Sequence, residues 1–424
     1  MKYSIPILAM FACKPEVLEP PDVRCAVQTE NALRVDCETS AALTFVYEHL
    51  ADRRSIEVDT GSFTLSGMGQ DTTWDWSADG ASGDFTTGLI PDNVPKITST
   101  GQSTVPYVFF VTGGFAIIAD TEGEIVWYQI YESNWTVEGG ISGFQFTPEQ
   151  TVLVVSDSDI IETSLAGDEL LRIEREGRPL HHDIFRADGL TYALNADVHS
   201  YPAGDFVLDG FYVYDATGQR VEEWDLADHL SEDPQVDEGP SLFWAFEFGG
   251  AEDYAHTNGI FAADDGTILL SLRHYDAVWA VGGVYSGHFG ETDWVLGGEQ
   301  SDFAVESAVT DDLAFLGQHH PRIVDDVVTV FDNRDSGNAR TVAVRIDTAT
   351  STGEIIETHP LGGTCSIQGA NYPLPSGNVL ATCGEQHQIT EFGPEHAIVW
   401  ELQVDSTSTV VARGIPLVER PTAW

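Results

Sequence analysis

The sequence predicts an all-β chain: a six-bladed β-propeller behind a small N-terminal β-sandwich. Three observations carry this. Short runs of β-forming residues punctuated by Asp-Gly and Ser-Gly turns fill the chain, with no long helical periodicity. From Val105 onward the sequence repeats loosely, with units opening near Tyr107, Ile141, His181, His256, Gln318 and Ser366. Several units end in a strand of the form D-x-x-G followed by W after three to five further residues: Asp120, Gly123 and Trp127 fit it, as do Asp215, Gly218 and Trp224. Asp347 with Gly353, and Gly393 with Trp400, fit it in part. Units of about 40 residues or more, holding four short strands each, have propeller-blade spacing.

In chain order, residues 1–22 read as a signal and tether. MKYSIPILAMFA is a short apolar run behind one Lys, and Ala12 is the small residue expected before a cleaved Cys. This pattern predicts a lipoprotein signal with Cys13 lipidated, and hence a membrane anchor, or else ordinary secretion. Residues 23–92 hold many short strands and predict the sandwich. The turn-rich stretch 93–104 reads as a linker, and 105–424 as the propeller. Its tail, STSTVVARGIPLVER, is expected to pair with the first blade and so remove a sheet edge. WDLADHLSEDP has room for one short helix.

The chain has 424 residues, with 68 acids against 19 bases for a net charge of −49, and its only lysines are Lys2, Lys14 and Lys96. Such a surface repels phosphate backbones, which argues against nucleic acid as a partner. The acids are spread along the chain, so they read as a solvated folded surface, and their excess over Lys points to a saline habitat. Cys25 with Cys37 and Cys365 with Cys383 have spacings that suit local disulfides, leaving Cys13 unpaired. That arithmetic places the protein outside the cytoplasm, in the periplasm or at the cell surface. No run reaches transmembrane length.

The chemistry concentrates in Asp253–Trp279, which reads as a hairpin turning at Asp264-Asp265-Gly266. Counting back from the turn, Ala263 faces Thr267, and Arg273 arrives opposite Thr257 or Asn258. His256 and Asn258, two apart, should share one strand face. An imidazole, an amide and a guanidinium at one strand end suit a tetrahedral oxyanion with a proton to move. The plainer reading is a polar rim on an exposed hairpin. Two more units open with histidine, at His181-His182-Asp183 and Gln318-His319-His320. The same pairing arithmetic returns Asn195 towards His182, and Asp332 or Asn333 towards His319. His182, His256 and His319 should therefore meet at one mouth of the channel, beside Arg273. Strand alternation lets only one member of each His doublet face it.

These residues carry a resemblance. HHDI from His181, D-x-x-H-x-N with S-x-R-H between Asp253 and His274, WVLGG from Trp294, QHH from Gln318, VFDN from Val330 and LPSGNVL from Leu374 resemble the bacterial arylsulfotransferases, over roughly Tyr107 to the C-terminus. The resemblance implies transfer of a sulfuryl group from a phenolic sulfate ester to a phenol, without an adenylated donor and with no cofactor. The sequence agrees to the extent that it contains no P-loop. The resemblance also implies ping-pong transfer through a transiently sulfated histidine, matched here by His319, with His182, His256, Asn258 and Arg273 as the other catalytic positions. Arg273 and Asn258 would hold the sulfuryl oxygens, and His256 or His182 would move the proton. Trp244, Tyr275 and Phe315 are candidates to stack on phenol rings. Two other readings of the constellation are a propeller with a degenerate, binding-only site and a His-lined site for Zn²⁺ or Cu²⁺, which the adjacent Arg273 disfavours.

Overall fold

The structure is a computed structural model that describes residues 20–131, 140–230, 234, 243–245, 247–334, 337–405 and 410–422. The expected signal, tether start and Cys13 lie outside the described residues. Within these bounds the chain is all-β, with three short 3₁₀ turns.

Two N-terminal sheets come first. Val23–Val27, Val35–Thr39 and Gly61–Leu65 form one, and Leu43–His49, Asp52–Val58, Thr73–Ala78 and Ala81–Thr86 form the other. Their strands alternate in the period-2 manner expected when one face is covered: Trp74, Trp76 and Ala78 point in while Thr73, Asp75 and Ser77 point out. Phe45, Tyr47, Leu65, Met68, Trp74 and Phe85 share one core. Cys25 and Cys37 face each other across neighbouring strands and are bonded. This unit docks on the larger C-terminal part of the chain through Asn31, whose amide donates to the Tyr128 carbonyl at 2.8 Å, and through the Arg420–Asp52 pair at 2.7 Å.

Among the described residues, six mainly antiparallel sheets make up that larger part. Their first strands are Tyr107–Thr112, Ile141–Phe146, Leu180–Ala187, Thr257–Ala262, His319–Val324 and Ala370–Pro373, close to the unit starts read from the sequence. Middle strands such as Val152–Ser156, Ile268–Leu272 and Val379–Cys383 are buried on both faces, because another sheet stacks on each side. That explains their unbroken apolar runs, where a half-exposed strand would alternate. The apolar clusters are correspondingly shared by consecutive sheets. Phe211 and Trp224 of the third pack with Ile260 and Leu270 of the fourth, and Val108 and Phe110 of the first pack with Leu380 and Trp400 of the sixth.

Two sheets are completed from a distance. The tail strand Val411–Leu417 pairs antiparallel with Tyr107–Thr112, as its sequence led us to expect. Lys96–Gly101, within the stretch expected as a linker, adds to the sixth sheet beside Ile398–Asp405. Its half-exposed alternating pattern suits an edge strand that caps a sheet.

The repeated D-x-x-G turn with its following Trp has a mechanical basis. Asp120 and Asp215 each accept two backbone N–H bonds across a turn whose glycine, Gly123 or Gly218, has positive φ. The tryptophan that closes the motif latches onto a neighbouring sheet. Trp127 donates to the Leu165 carbonyl at 2.8 Å, Trp224 to Gly290 at 3.0 Å and Trp400 to Thr121 at 2.9 Å. The helix expected in WDLADHL is the short 3₁₀ turn Leu226–His229, capped by Asp225.

The latch is measurable. Trp400→Phe keeps an aromatic ring in place but removes the indole N–H, leaving the Thr121 carbonyl with Ser99 Oγ at 3.0 Å, so urea unfolding should show a loss of about 1–2 kcal/mol. Trp400→Ala should cost about 3–5 kcal/mol, because it also empties the site. If the Phe variant is as stable as the parent, the hydrogen bond contributes nothing to the joint.

Candidate active site

The inner strands of the third, fourth and fifth sheets share one irregularity. Each breaks register near its start, between Leu180 and Ile184, Thr257 and Gly259, and His319 and Arg322. His182 (φ 49°), His256 (φ 51°) and His320 (φ 56°) adopt the left-handed conformation at or beside these breaks. Bulky residues rarely adopt it, and where they do the strain commonly serves a site. Gly259 makes the approach of the fifth sheet feasible, since a methyl there would lie 2.5 Å from the Pro321 ring.

The bulges overturn simple alternation. His256 precedes its strand, and Asn258 is the residue skipped in the pairing, so the two do not share a face by periodicity. The turn closes as expected, with Ala263 N–H on Thr267 at 2.8 Å. Arg273, however, starts a 3₁₀ turn, and its N–H reaches the His256 carbonyl at 3.3 Å, one residue beyond the expected partner. In the first doublet, His181 is sealed in beside Trp244 while His182 lines the cavity. In the second, His319 and His320 both line it, because the left-handed turn at His320 cancels the alternation.

The cavity is lined by His182, Asn258, His319, His320 and Arg413 among others. The rings of His182 and His256 lie 4.9 Å apart. The Arg273 guanidinium lies close to Gly317, just before the second doublet, and its charge acts on both His182 and His319. Four of the five expected residues belong to this cluster by contact, and Arg273 joins it through its field.

What distinguishes the three histidines is the partner of each Nδ1. His319 Nδ1 lies 2.7 Å from the amide oxygen of Asn333. His256 Nδ1 lies 2.6 Å from Oδ2 of Asp253, a carboxylate just 1 % exposed. His182 Nδ1 lies 2.8 Å from Nδ1 of His181, whose far nitrogen is 3.4 Å from the buried Asp209. A carboxylate stabilises imidazolium, while an amide or a second imidazole does not. Burial pushes His319 down to about 3, with Arg273 adding to the effect, and holds His182 well below the ordinary value, with His256 adding. Asn258 donates to the Gln318 carbonyl at 2.9 Å and keeps a buried Oδ1 without a partner.

Asp253, Asp183 and Arg413 were not singled out from the sequence. Asp183 takes the N–H of Ile184 and of Ile260, and pairs with Arg413 at 2.6 Å. The Arg413 guanidinium lies 4.6 Å above the Phe144 ring and also donates to the Phe144 carbonyl. The one legible signal was the Asp in H-H-D and in D-x-x-H. Of the aromatic candidates, Trp244 is buried behind His181 and Phe315 belongs to a core cluster. Tyr275 packs on Tyr254. Phe243 packs against two of the histidines, 4.4 Å from His182 and 5.7 Å from His256, and Tyr372 lies 4.5 Å from His320.

Among the described residues, the group with cation-ligand geometry is Asp253, His256 and His274, with one ligand atom from each within 4.8 Å of the others. It differs from the trio His182, His256 and His319 read from the sequence. Hydrogen bonds already join its members: Asp253 meets His256 through its carboxylate and His274 through its backbone carbonyl at 3.0 Å.

Among known proteins, a family model described as Arylsulfotransferase (ASST) matches residues 93–357, well over half of the chain. No curated protein matches in sequence. Solved structures overlap loosely. A protein of unknown function from Bacteroides caccae is 12 % identical, covering 74 % of this chain and 100 % of its own, with a TM-score of 0.45. A streptogramin B lyase is 12 % identical over 75 % and 86 %, at 0.39. The Pan2 WD40 domain of Neurospora crassa is 11 % identical over 76 % and 84 %, at 0.40. These overlaps are too loose to bear on function.

The site makes the fold acid-sensitive. His181, His182, His319 and His320 are all held below the ordinary imidazole value, chiefly by burial. The unfolded chain takes up their protons near pH 6.5, so their contribution is complete above that pH and is lost as pH falls towards about 3. Each accounts for at most about 1.4 kcal/mol per pH unit. Asp209, raised by burial and by Asp253, acts in the opposite sense, one group against four. Urea unfolding at pH 7.5, 6 and 5 should show falling stability, with a shallower slope for His319→Gln. Stability that is level across this range would contradict the assignment of four neutral buried imidazoles.

Proposed function

Since the chain belongs to the arylsulfotransferase family, we propose that it moves a sulfuryl group from a phenolic sulfate ester to a phenol, in two half-reactions through His319, without an adenylated donor. The observation that carries this reading is the difference in Nδ1 partners around one cavity. An amide-backed, neutral His319 is suited to attack, and a carboxylate-backed His256 is suited to carry a proton.

In the first half-reaction a ring nitrogen of His319 attacks sulfur and the bond from sulfur to the aryl oxygen breaks. The departing phenolate takes a proton from His256, whose cation Asp253 stabilises. In the second, the acceptor phenol returns a proton to His256, its oxygen attacks sulfur, and the N–S bond breaks. Arg273 holds sulfuryl oxygens throughout, as a guanidinium fork suits. His182, depressed further than a working acid would be, serves as a neutral hydrogen-bonding wall of the pocket. The buried Oδ1 of Asn258 is placed to accept the acceptor's hydroxyl, and its remaining N–H is left for a sulfuryl oxygen. Phe243 offers the ring face for the phenol.

The proposed frame is a six-bladed propeller, 105–424, preceded by a sandwich, 23–92. The six sheets, the clusters shared by neighbours and the tail strand on the first sheet support it. The two disulfides point to an oxidising, extracytoplasmic compartment, and no helix among the described residues is long and apolar enough to cross a membrane.

Brief mixing with a chromogenic aryl sulfate alone should add one SO₃ to the intact mass, and adding a phenol should remove it. His319→Ala should show neither adduct nor turnover. His256→Gln should slow both halves roughly 10²–10⁴-fold while a sulfated enzyme remains trappable, and Arg273→Ala should weaken both. Turnover without an adduct would mean direct transfer. Neither adduct nor turnover over a panel of phenolic sulfates, at several salt concentrations, would leave a binding-only site as the better account.

A further inference from the structure

We propose that Asn333 is a positioning residue that fixes the tautomer of His319, so that the atom receiving the sulfuryl group is Nε2. This rests on the reading of His319 as the nucleophile. Asn333 is fully buried, at the end of the second strand of the fifth sheet. Its Nδ2 lies 2.6 Å from the carbonyl oxygen of Cys365 and 2.6 Å from that of Gln368. Carbonyl oxygens only accept, so the atom between them is the NH₂ group and the amide cannot be reversed. Its oxygen therefore faces His319, 2.7 Å from Nδ1. An amide oxygen also only accepts, so Nδ1 carries the proton. A neutral imidazole has one N–H, and the lone pair is left on Nε2.

The constraint extends into the sixth sheet. Cys365 is bonded to Cys383, the last residue of that sheet's second strand, so one of the two carbonyls is tied to the core. Gln368 lies just before the first strand of the same sheet with φ 57°, and Gly369 beside it has φ 123°. A methyl on Gly369 would lie 2.5 Å from the Phe331 ring, so only glycine lets this segment come in against the fifth sheet. Two sheets thus hold one amide, and that amide selects one nitrogen. The sulfuryl step then forms Nε2–S, breaks S–O(aryl), and leaves Nδ1–H on Asn333 as the ring becomes cationic. A fixed acceptor at that atom stabilises the charge that develops.

The test has a readout that does not depend on turnover. In ¹⁵N-histidine-labelled enzyme, with the His319 signals assigned from their loss in His319→Gln, resting His319 should show the Nδ1–H tautomer. An Nε2–H tautomer overturns the proposal, whatever the activity. After brief mixing with an aryl sulfate, alkaline digests of the parent should yield one sulfohistidine isomer, linked at Nε2. Asn333→Ala should slow donor cleavage roughly 10²–10⁴-fold, as loss of a tautomer-fixing partner does, with KM little changed and both isomers in the digest. A purely structural role for Asn333 would lower the yield and keep a single isomer, which also overturns it. If Asn333→Ala does not fold, Asn333→Ser is used, and the parent's tautomer and isomer decide alone. No adduct on the parent defeats the proposed function, while the tautomer still reports on Asn333.

Discussion

The ion pair between Asp183 and Arg413 is the constraint on which the rest of the site depends. It joins an inner strand of the third sheet to the tail strand, and the same two side chains reach the Ile260 N–H of the fourth sheet and the Phe144 carbonyl of the second. Both residues are buried, so neither charge has bulk water to fall back on. Asp183 also accepts from the Ile184 and Ile260 N–H groups and Arg413 also donates to the Phe144 carbonyl, while Arg413 Nε is left without a partner. Arg413 keeps its charge, since Asp183 and Tyr372 together more than offset the burial. Four sheets thus meet at one fixed polar point, and three histidines are arrayed around it.

The bulges follow from that demand. A regular strand presents every second residue to its core, which would place only one side chain per strand at the centre. By breaking register, the third sheet sends His181 to Asp209, His182 to the cavity and Asp183 to Arg413 from three consecutive positions. The left-handed backbone at His182 and His320 is a local cost that the surrounding packing must hold. The benefit is a dense set of polar groups with separate environments. One imidazole is backed by a carboxylate, one by an amide and one by another imidazole, so three chemically identical side chains meet different hydrogen-bond partners.

Charge separates inside from outside. The surface carries the acid excess behind a net −49, whereas on or near the cavity Arg273, Arg322 and Arg413 stand against the buried Asp183, Asp209 and Asp253. An anionic ligand would be repelled at long range by the surface and would meet guanidinium groups at short range. Salt suppresses mainly the first of these, as the Debye length shortens from about 10 Å at 0.1 M to about 3 Å at 1 M. A protein so built is compatible with the saline habitat its composition indicates.

Local patterns were legible in the chain because they are encoded locally. The starts of the six sheets, the turn at Asp264–Gly266, both disulfides and the pairing of the tail with the first sheet follow from periodicity, turn chemistry and cysteine spacing, and each survives in the structure. The clustering of His182, His256, Asn258 and His319 was legible for the same reason, since each sits near the start of a repeated unit. The strand at Lys96–Gly101 was not legible, because its sequence is turn-like and only the free edge of the sixth sheet makes it a strand. Nor were the bulges, which shift register by one or two residues and depend on how closely neighbouring sheets approach at Gly259. Above all, the partners that set the histidines apart lie at separations the chain does not advertise: Asn333 answers to carbonyls more than 30 residues away, and Asp183 to Arg413 across 230. Spacing determines which side chains reach the centre. Which of them are neutral, and which nitrogen is free, is decided by burial and hydrogen bonds that exist only once the sheets are packed together.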